Sequence, residues 1–513
     1  MPTGDGPATT ESRSTLPWQA WALLGLFLAV VVALRLSGPS DLLDNDQLGP
    51  AAYAVDVVTN GQWIVQRDTS GDVASKPPLT TWIIAIASLA MGDGVTRLAL
   101  AVPSILGLAG MAALTLHLGA RYIGARAAWW SVLALVLSPM GFKQAILVRT
   151  DSFYGFAGAL CAWALWEAVH RRRSAWVWFW IAVTVATLTK GPVAALLALG
   201  GLLAWVWPKD SGAAPGRERD RRVRADLVWH ALGVAMLVAC AGGWVYLAWR
   251  DSGSAFIDKI FGRELVGHMV TSVRGKPPLA EFYLPVLYYL GRFAPGSVLT
   301  AIGLWAVMAR PAADPTTRRF ERFVWWWFVV GLVVFSIAPH QRPDLMTPIW
   351  VAGSLLAGRT MADLVRAIRI TGQLAIAGVW VAAGLVGGVL EHHVHAGRKP
   401  EVRAERAIRA FGDALLHRFD GPPPLAHVSE NSSLQLYLGR RVNRTAEAEA
   451  LMLLAGDAPC AVAVSRKSGL EEAARARGIE MIELSRSPDA GKWDIVILGN
   501  AAAAADPRWL AGN

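Results

Sequence analysis

Long apolar runs recur through most of this chain and leave few ways to fold it. A helix needs about 20 consecutive apolar residues to cross the hydrocarbon core of a bilayer. Eleven runs of roughly that kind stand at residues 17–37, 96–118, 127–142, 152–169, 175–189, 192–207, 227–249, 282–308, 323–338, 345–358 and 371–390. Hydrophobic residues make up 54% of the 513 and charged ones 17%, where a soluble protein carries about 25% charged. A soluble multi-domain enzyme is therefore excluded. Low charge and 24 Trp exclude disorder and coiled coil. Cys161, Cys240 and Cys460 are too few for a disulfide framework. The expected class is an all-α polytopic membrane protein with about eleven transmembrane helices. Residues 1–16 lack the short apolar core and cleavage site of a signal peptide, so the first run reads as an anchor.

The net charge of +10 looks like a statement about partners, but its distribution says otherwise. With a cytoplasmic N-terminus, the inner loops hold Arg121 and Arg126, then Arg171, Arg172 and Arg173, then six Lys/Arg between Lys209 and Arg224. Arg310, Arg318, Arg319 and Arg322 follow, and then Arg359, Arg366 and Arg369. Every basic cluster between spans falls on one side, as the resistance of Lys and Arg to translocation requires. No nucleic-acid partner is needed to explain the charge. The expected organisation is a cytoplasmic tail at 1–16, a transmembrane domain at 17–391 with outer loops 38–95 and 250–281, and an outer soluble domain at 392–513. This last part reads as a small α/β domain, with strands near 460–465, 479–484 and 493–498. A capping box at Ser468-Gly-Leu-Glu471 opens a helix, and Gly478 stops it.

The polar motifs map to the outer face. Asp44-Asn-Asp46 follows the first span, with Gln47 and Tyr53 after it. Lys76-Pro-Pro-Leu79 opens an apolar helix, where a Lys beside the helix N-terminus can meet an anionic head group. Arg149-Thr-Asp151 begins the fourth span and Lys190-Gly-Pro192 separates the fifth from the sixth. Arg263, Glu264 and His268 fall on an expected interfacial helix, and Lys276-Pro-Pro-Leu279 repeats the earlier tetrapeptide. Arg292 lies inside an apolar run, where ionisable residues are costly and usually functional. His340-Gln-Arg342-Pro343-Asp344 joins the ninth and tenth spans. An acid at a helix start also complements the macrodipole, and interfacial lysines also snorkel. Taken together, though, two acids and several cations at one membrane face fit a base beside a clamp for an anionic, lipid-borne group.

The ordered set Asp46-Gln47, Tyr53, Gly61-Gln-Trp63, Lys76-Pro-Pro-Leu79 and Trp82 resembles the first outer loop of GT-C membrane glycosyltransferases. Arg149-Thr-Asp151, Leu188-Thr-Lys190-Gly191, Phe282-Tyr-Leu-Pro285 and Phe335-Ser336 continue the order. The nearest likeness is to the aminoarabinose transferases and the bacterial enzymes similar to protein O-mannosyltransferases. The resemblance implies a GT-C fold and an inverting transfer from a polyprenyl-phosphate sugar donor to a lipid, glycan or protein acceptor, at the outer face of the cytoplasmic membrane. It implies Asp46 and Asp151 as catalytic acids. Lys76, Arg292, Arg342 and Lys190 would hold the donor phosphate, with Arg149, Glu264, His268 and Tyr53 as further site residues. Gln47 and Ser75 stand where such enzymes tend to carry acids, so no metal ligand is assigned, although a divalent metal is possible. Two other readings stay open: a lipid-linked-sugar flippase or transporter, and a non-catalytic envelope-assembly protein.

Overall fold

The computed structural model describes residues 16–43, 46–68, 71–92, 94–206, 218–260, 262, 279–428, 433–439, 445–465, 469–487 and 493–510, with 218–225 and 510 described for the backbone alone. Each of the eleven apolar runs carries helix among its described residues. The helices of the membrane part are α1 (Trp18–Ser37), α2 (Leu48–Asn60), α3 (Leu79–Met91), α4 (Arg97–Tyr122), α5 (Ala125–Val136), α6 (Pro139–Gln144), α7 (Asp151–His170), α8 (Ala175–Thr189), α9 (Val193–Gly200), α10 (Glu218–Leu237) and α11 (Gly243–Ser252). After a short helix, α12 (Ser254–Ile257), come α13 (Leu284–Arg292), α14 (Gly296–Ala309), α15 (Pro315–Ile337), α16 (Trp350–Leu364) and α17 (Ile370–Val389). Among the described residues, five helices are by themselves long and apolar enough to cross a membrane. In lipid the backbone must satisfy its own hydrogen bonds, which a helix does. The chain is a multi-pass membrane protein.

One expected span is broken. The run at 282–308 is not one helix but α13 and α14, bent by 117° at a short break. Ala294-Pro295 stands at that break; the missing N–H of Pro295 and its ring interrupt the ladder. Arg292 is thereby the last residue of α13 rather than a residue in the middle of a span.

The helices pack through small residues. A Cβ on Gly107 of α4 would lie 2.4 Å from the Ser152 carbonyl carbon, and one on Gly358 of α16 would lie 2.3 Å from the Ala127 carbonyl oxygen of α5. Only glycine lets these backbones approach so closely. The core between them is filled by Leu108, Met111, Leu165, Trp166, Trp327 and Leu355, all at most 1% exposed.

The C-terminal part is built on a four-stranded sheet, β1 (Ala426–His427), β2 (Ala461–Ser465), β3 (Ile482–Arg486) and β4 (Ile495–Gly499), in the order β1-β2-β4-β3. β1 pairs parallel with β2; the other pairs are antiparallel, with Val462 opposite Leu498. Side chains alternate between faces along a strand. Ala461, Ala463, Ile495 and Ile497 pack with Ile408, Phe411 and Leu415 of the helix Pro400–Phe419. Val462, Val464, Val496 and Leu498 pack with Leu451 and Leu470 on the other face. Burial on both faces explains why these strands read as continuous apolar runs. The expected helix is Leu470–Ala476, but Ser468 of its capping box lies outside the described residues. Gly478 does end it, at φ +70°.

Candidate functional site

The site gathers at the end of the bundle where α7 begins. Between α6 and α7 the chain is irregular, and Ser104 of α4 holds it. The Ser104 hydroxyl donates to the Leu147 carbonyl, and the Ser152 hydroxyl donates to the Ser104 carbonyl at 3.1 Å. With Gly107 close against Ser152, Asp151 is fixed as the first residue of α7 and is 1% exposed.

A buried carboxylate needs paired charge, and Asp151 has two cations. The Lys190 ammonium, just after α8, donates to Oδ1, and Arg149 Nε stands 3.0 Å from Oδ2. Arg149 also reaches Asp344, with Nη1 3.3 Å from Oδ2. Asp344 accepts from Gln144 Nε2 at 2.9 Å and pairs with Lys143 Nζ at 3.5 Å. Three cations and two carboxylates thus share one network.

Asp46 stands beside it in a different condition. Its side chain is 72% exposed, and its Oδ2 accepts from Arg342 Nη1 at 2.9 Å. Its φ of +57° lies in the left-handed region, which Asp tolerates better than most residues. The next residue, Gln47, is 1% exposed. Gln47 Oε1 accepts the Val148 amide at 2.8 Å and its Nε2 donates to the Asp41 carbonyl at 2.7 Å. Position 47, which the sequence reads as a lost acid, is a clamp between the loop after α1 and the segment carrying Arg149 and Asp151. Arg149, Asp151 and Lys190 are thus in contact, and the separate pair Asp46–Arg342 is held next to them through Gln47.

Other expected residues stand elsewhere or apart. Tyr53 is buried on α2, and Lys76 is half-buried just before α3. Glu264, His268, Arg263 and Lys276 lie outside the described residues. Arg292 lines a cavity of about 820 Å³ with Lys143 and mainly apolar side chains, including Leu137, Phe142, Val379 and Trp380. Lys143 also belongs to the acid–base network, so one lysine joins the cavity to the cluster. Sequence reasoning did not assign Lys143, Gln144 or Asp344 to the site. The signal for Lys143 and for Asp344 alike was a place in a polar break between apolar runs.

Among the described residues, no three His, Cys, Asp or Glu side chains come together as a metal site. Asp151 and Asp344 are already occupied by cations, so these donors do not fit a divalent ion.

A crystal structure of ArnT from Cupriavidus metallidurans bound to undecaprenyl phosphate superposes with a TM-score of 0.72, covering 96% of this chain and 100% of that one at 19% identity. The chain has the GT-C fold. The oligosaccharyltransferase of Archaeoglobus fulgidus is a more distant likeness, with a TM-score of 0.53, 11% identity, and 91% and 70% of the two chains covered. A family model for dolichyl-phosphate-mannose-protein mannosyltransferase matches residues 75–244 of this chain. Among curated relatives, undecaprenyl phosphate-alpha-4-amino-4-deoxy-L-arabinose arabinosyl transferase 1 of Pseudomonas fluorescens is 25% identical over 355 residues, 67% of this chain and 60% of that protein. The undecaprenyl phosphate-alpha-4-amino-4-deoxy-L-arabinose arabinosyl transferase of Serratia proteamaculans is 24% identical over 367 residues, 68% and 60% of the two chains. The matched region thus spans about 60% of the length of these curated relatives.

Proposed function

We propose that the protein is a glycosyltransferase that moves a sugar from a polyprenyl-phosphate donor to a lipid, glycan or protein acceptor. The observation that carries this reading is the network of Lys143, Arg149, Asp151, Lys190 and Asp344 at one end of the bundle, with the Asp46–Arg342 pair tied beside it through Gln47 and a largely apolar cavity joined to it through Lys143. Supporting it are the fold shared with ArnT and the family model for mannosyltransferases that use a lipid-phosphate donor. The basic loops favour an inner N-terminus, with this end of the bundle and residues 392–513 on the outer face.

In this reading the acceptor hydroxyl attacks the anomeric carbon, the bond to the phosphate oxygen breaks, and configuration inverts. Asp46 is the base, because it is the open carboxylate of the group; Asp151, locked between Arg149 and Lys190, is a positioning residue. Without donor, Arg342 neutralises Asp46. A donor phosphate competing for Arg342 frees that carboxylate to take the hydroxyl proton. Arg342, Lys143 and Arg292 supply fixed positive charge where the departing phosphate gathers negative charge. The isoprenoid chain lies in the cavity beside Arg292.

The test is to incubate purified protein with a radiolabelled polyprenyl-phosphate sugar and envelope lipids. Release of free polyprenyl phosphate that requires both acceptor and Asp46 supports the transferase. Movement of intact donor across proteoliposomes without release would instead identify a flippase.

A further inference from the structure

A second polar pocket lies at the opposite end of the bundle. Asp151 opens α7 and Glu167 stands near its other end; sixteen residues at about 1.5 Å each separate them by about 24 Å along the helix axis. The pocket encloses about 630 Å³ and is walled by Arg121, Arg171, Arg319, His117 and His170, with Trp21 and Leu16 at the start of α1. Arg172 joins Arg121 and Arg171 around an adjoining cavity of about 440 Å³. Glu167, the carboxylate that pairs with Arg171 and Arg172 among the described residues, is already engaged. It accepts the Tyr122 hydroxyl at 2.5 Å and pairs with Arg171 at 3.4 Å and Arg172 at 4.0 Å. Among the described residues, Arg121 and Arg319 take part in no ion pair, so the pocket holds an excess of forked donors suited to phosphate oxygens.

The apolar wall indicates where the phosphate comes from. Trp21 lines the pocket, and the outer side of α1 continues from it with Trp18 72%, Leu23 55% and Leu26 65% exposed. Tryptophans at a helix end mark the head-group level of a bilayer. A ligand with its phosphate on the arginines therefore has a lipid-facing helix beside its tail. Basic pockets between helix ends are a recurrent setting for anionic lipid head groups.

We infer that this pocket binds the phosphodiester head group of an anionic phospholipid, with Arg121 and Arg319 as its principal donors and an acyl chain along α1. It is separate from the donor site and does not depend on the transferase reading.

The full-length protein, purified in mild detergent, is titrated with phosphatidylglycerol and with phosphatidylcholine, and bound lipid is counted by native mass spectrometry. Phosphatidylglycerol is expected to bind at least tenfold more tightly. Arg121→Gln and Arg319→Gln should each weaken it about fivefold, the share of one basic residue near a membrane surface. The charge-keeping pair Arg121→Lys and Arg319→Lys should retain most of the preference, which separates lost charge from lost folding. Equal retention of the two lipids would overturn the inference, as would an unchanged preference in the double Gln variant. Inorganic phosphate alone binding as tightly as phosphatidylglycerol would also overturn it, by making the pocket a site for soluble anions.

Discussion

The side chain of Gln47 accepts the backbone amide of Val148, 101 residues away, at 2.8 Å in a buried setting. The bond ties the loop that carries Asp46 to the segment that carries Arg149 and Asp151. Gln47→Leu would leave the Val148 amide and the Asp41 carbonyl without this partner. Unpaired buried groups of this kind cost about 1–3 kcal/mol each. A lowered melting temperature in detergent and reduced transfer are expected together; a stable but inactive variant would contradict the clamp.

Asp46 makes the opposite prediction. Its exposed pair with Arg342 belongs to a class worth about 0–1 kcal/mol. Asp46→Asn should melt like the wild type while transfer falls about 10²–10⁴-fold, the usual share of a general base. Full activity in this variant would remove Asp46 from the mechanism.

Asp151 is expected to matter for stability, besides the positioning role proposed for it. Asp151→Asn leaves Arg149 and Lys190 without its charge in a buried site, and breaking such a group costs about 3–5 kcal/mol. The double variant with Lys190→Met should recover part of that loss in melting temperature. Strict additivity of the two single effects would show that the pair is not coupled.

Glu405 sets a pH dependence. It lies buried between its own helix, Pro400–Phe419, and the loop after α1, whose Leu43 backbone reaches it, and it accepts from the Tyr437 hydroxyl. Burial, and then the Asp41 charge, push its carboxyl up to about 8 from 4.5. The fold favours its neutral form, so this contribution is complete below pH 4.5 and is lost as pH rises through 8. The melting temperature of Glu405→Gln minus that of wild type should therefore grow between pH 5 and pH 8 and level off above. A flat difference between pH 5 and pH 9 would contradict the assignment.

Much of the fold was legible because lipid imposes a simple rule. Backbone groups in hydrocarbon must pair within their own helix, so apolar runs such as 96–118 and 371–390 announce helices whatever surrounds them. The buried strands at 461–465 and 495–499 were legible for a related reason, since burial on two faces leaves no polar alternation. The break at Pro295 was harder: a proline in an apolar run signals a kink, but the 117° turn depends on what packs against α13 and α14.

The sequence by itself determined that this is a membrane protein with acids and cations concentrated outside its spans, because solvation energies act on each residue where it stands. Asp46 and Asp151 looked alike at that level. Only the tertiary structure separated an exposed carboxylate held by one arginine from a buried one held by Arg149 and Lys190, and brought Gln144 to Asp344 across 200 residues. Charge pairing falls off over a few ångströms in space, and distance along the chain carries no record of it.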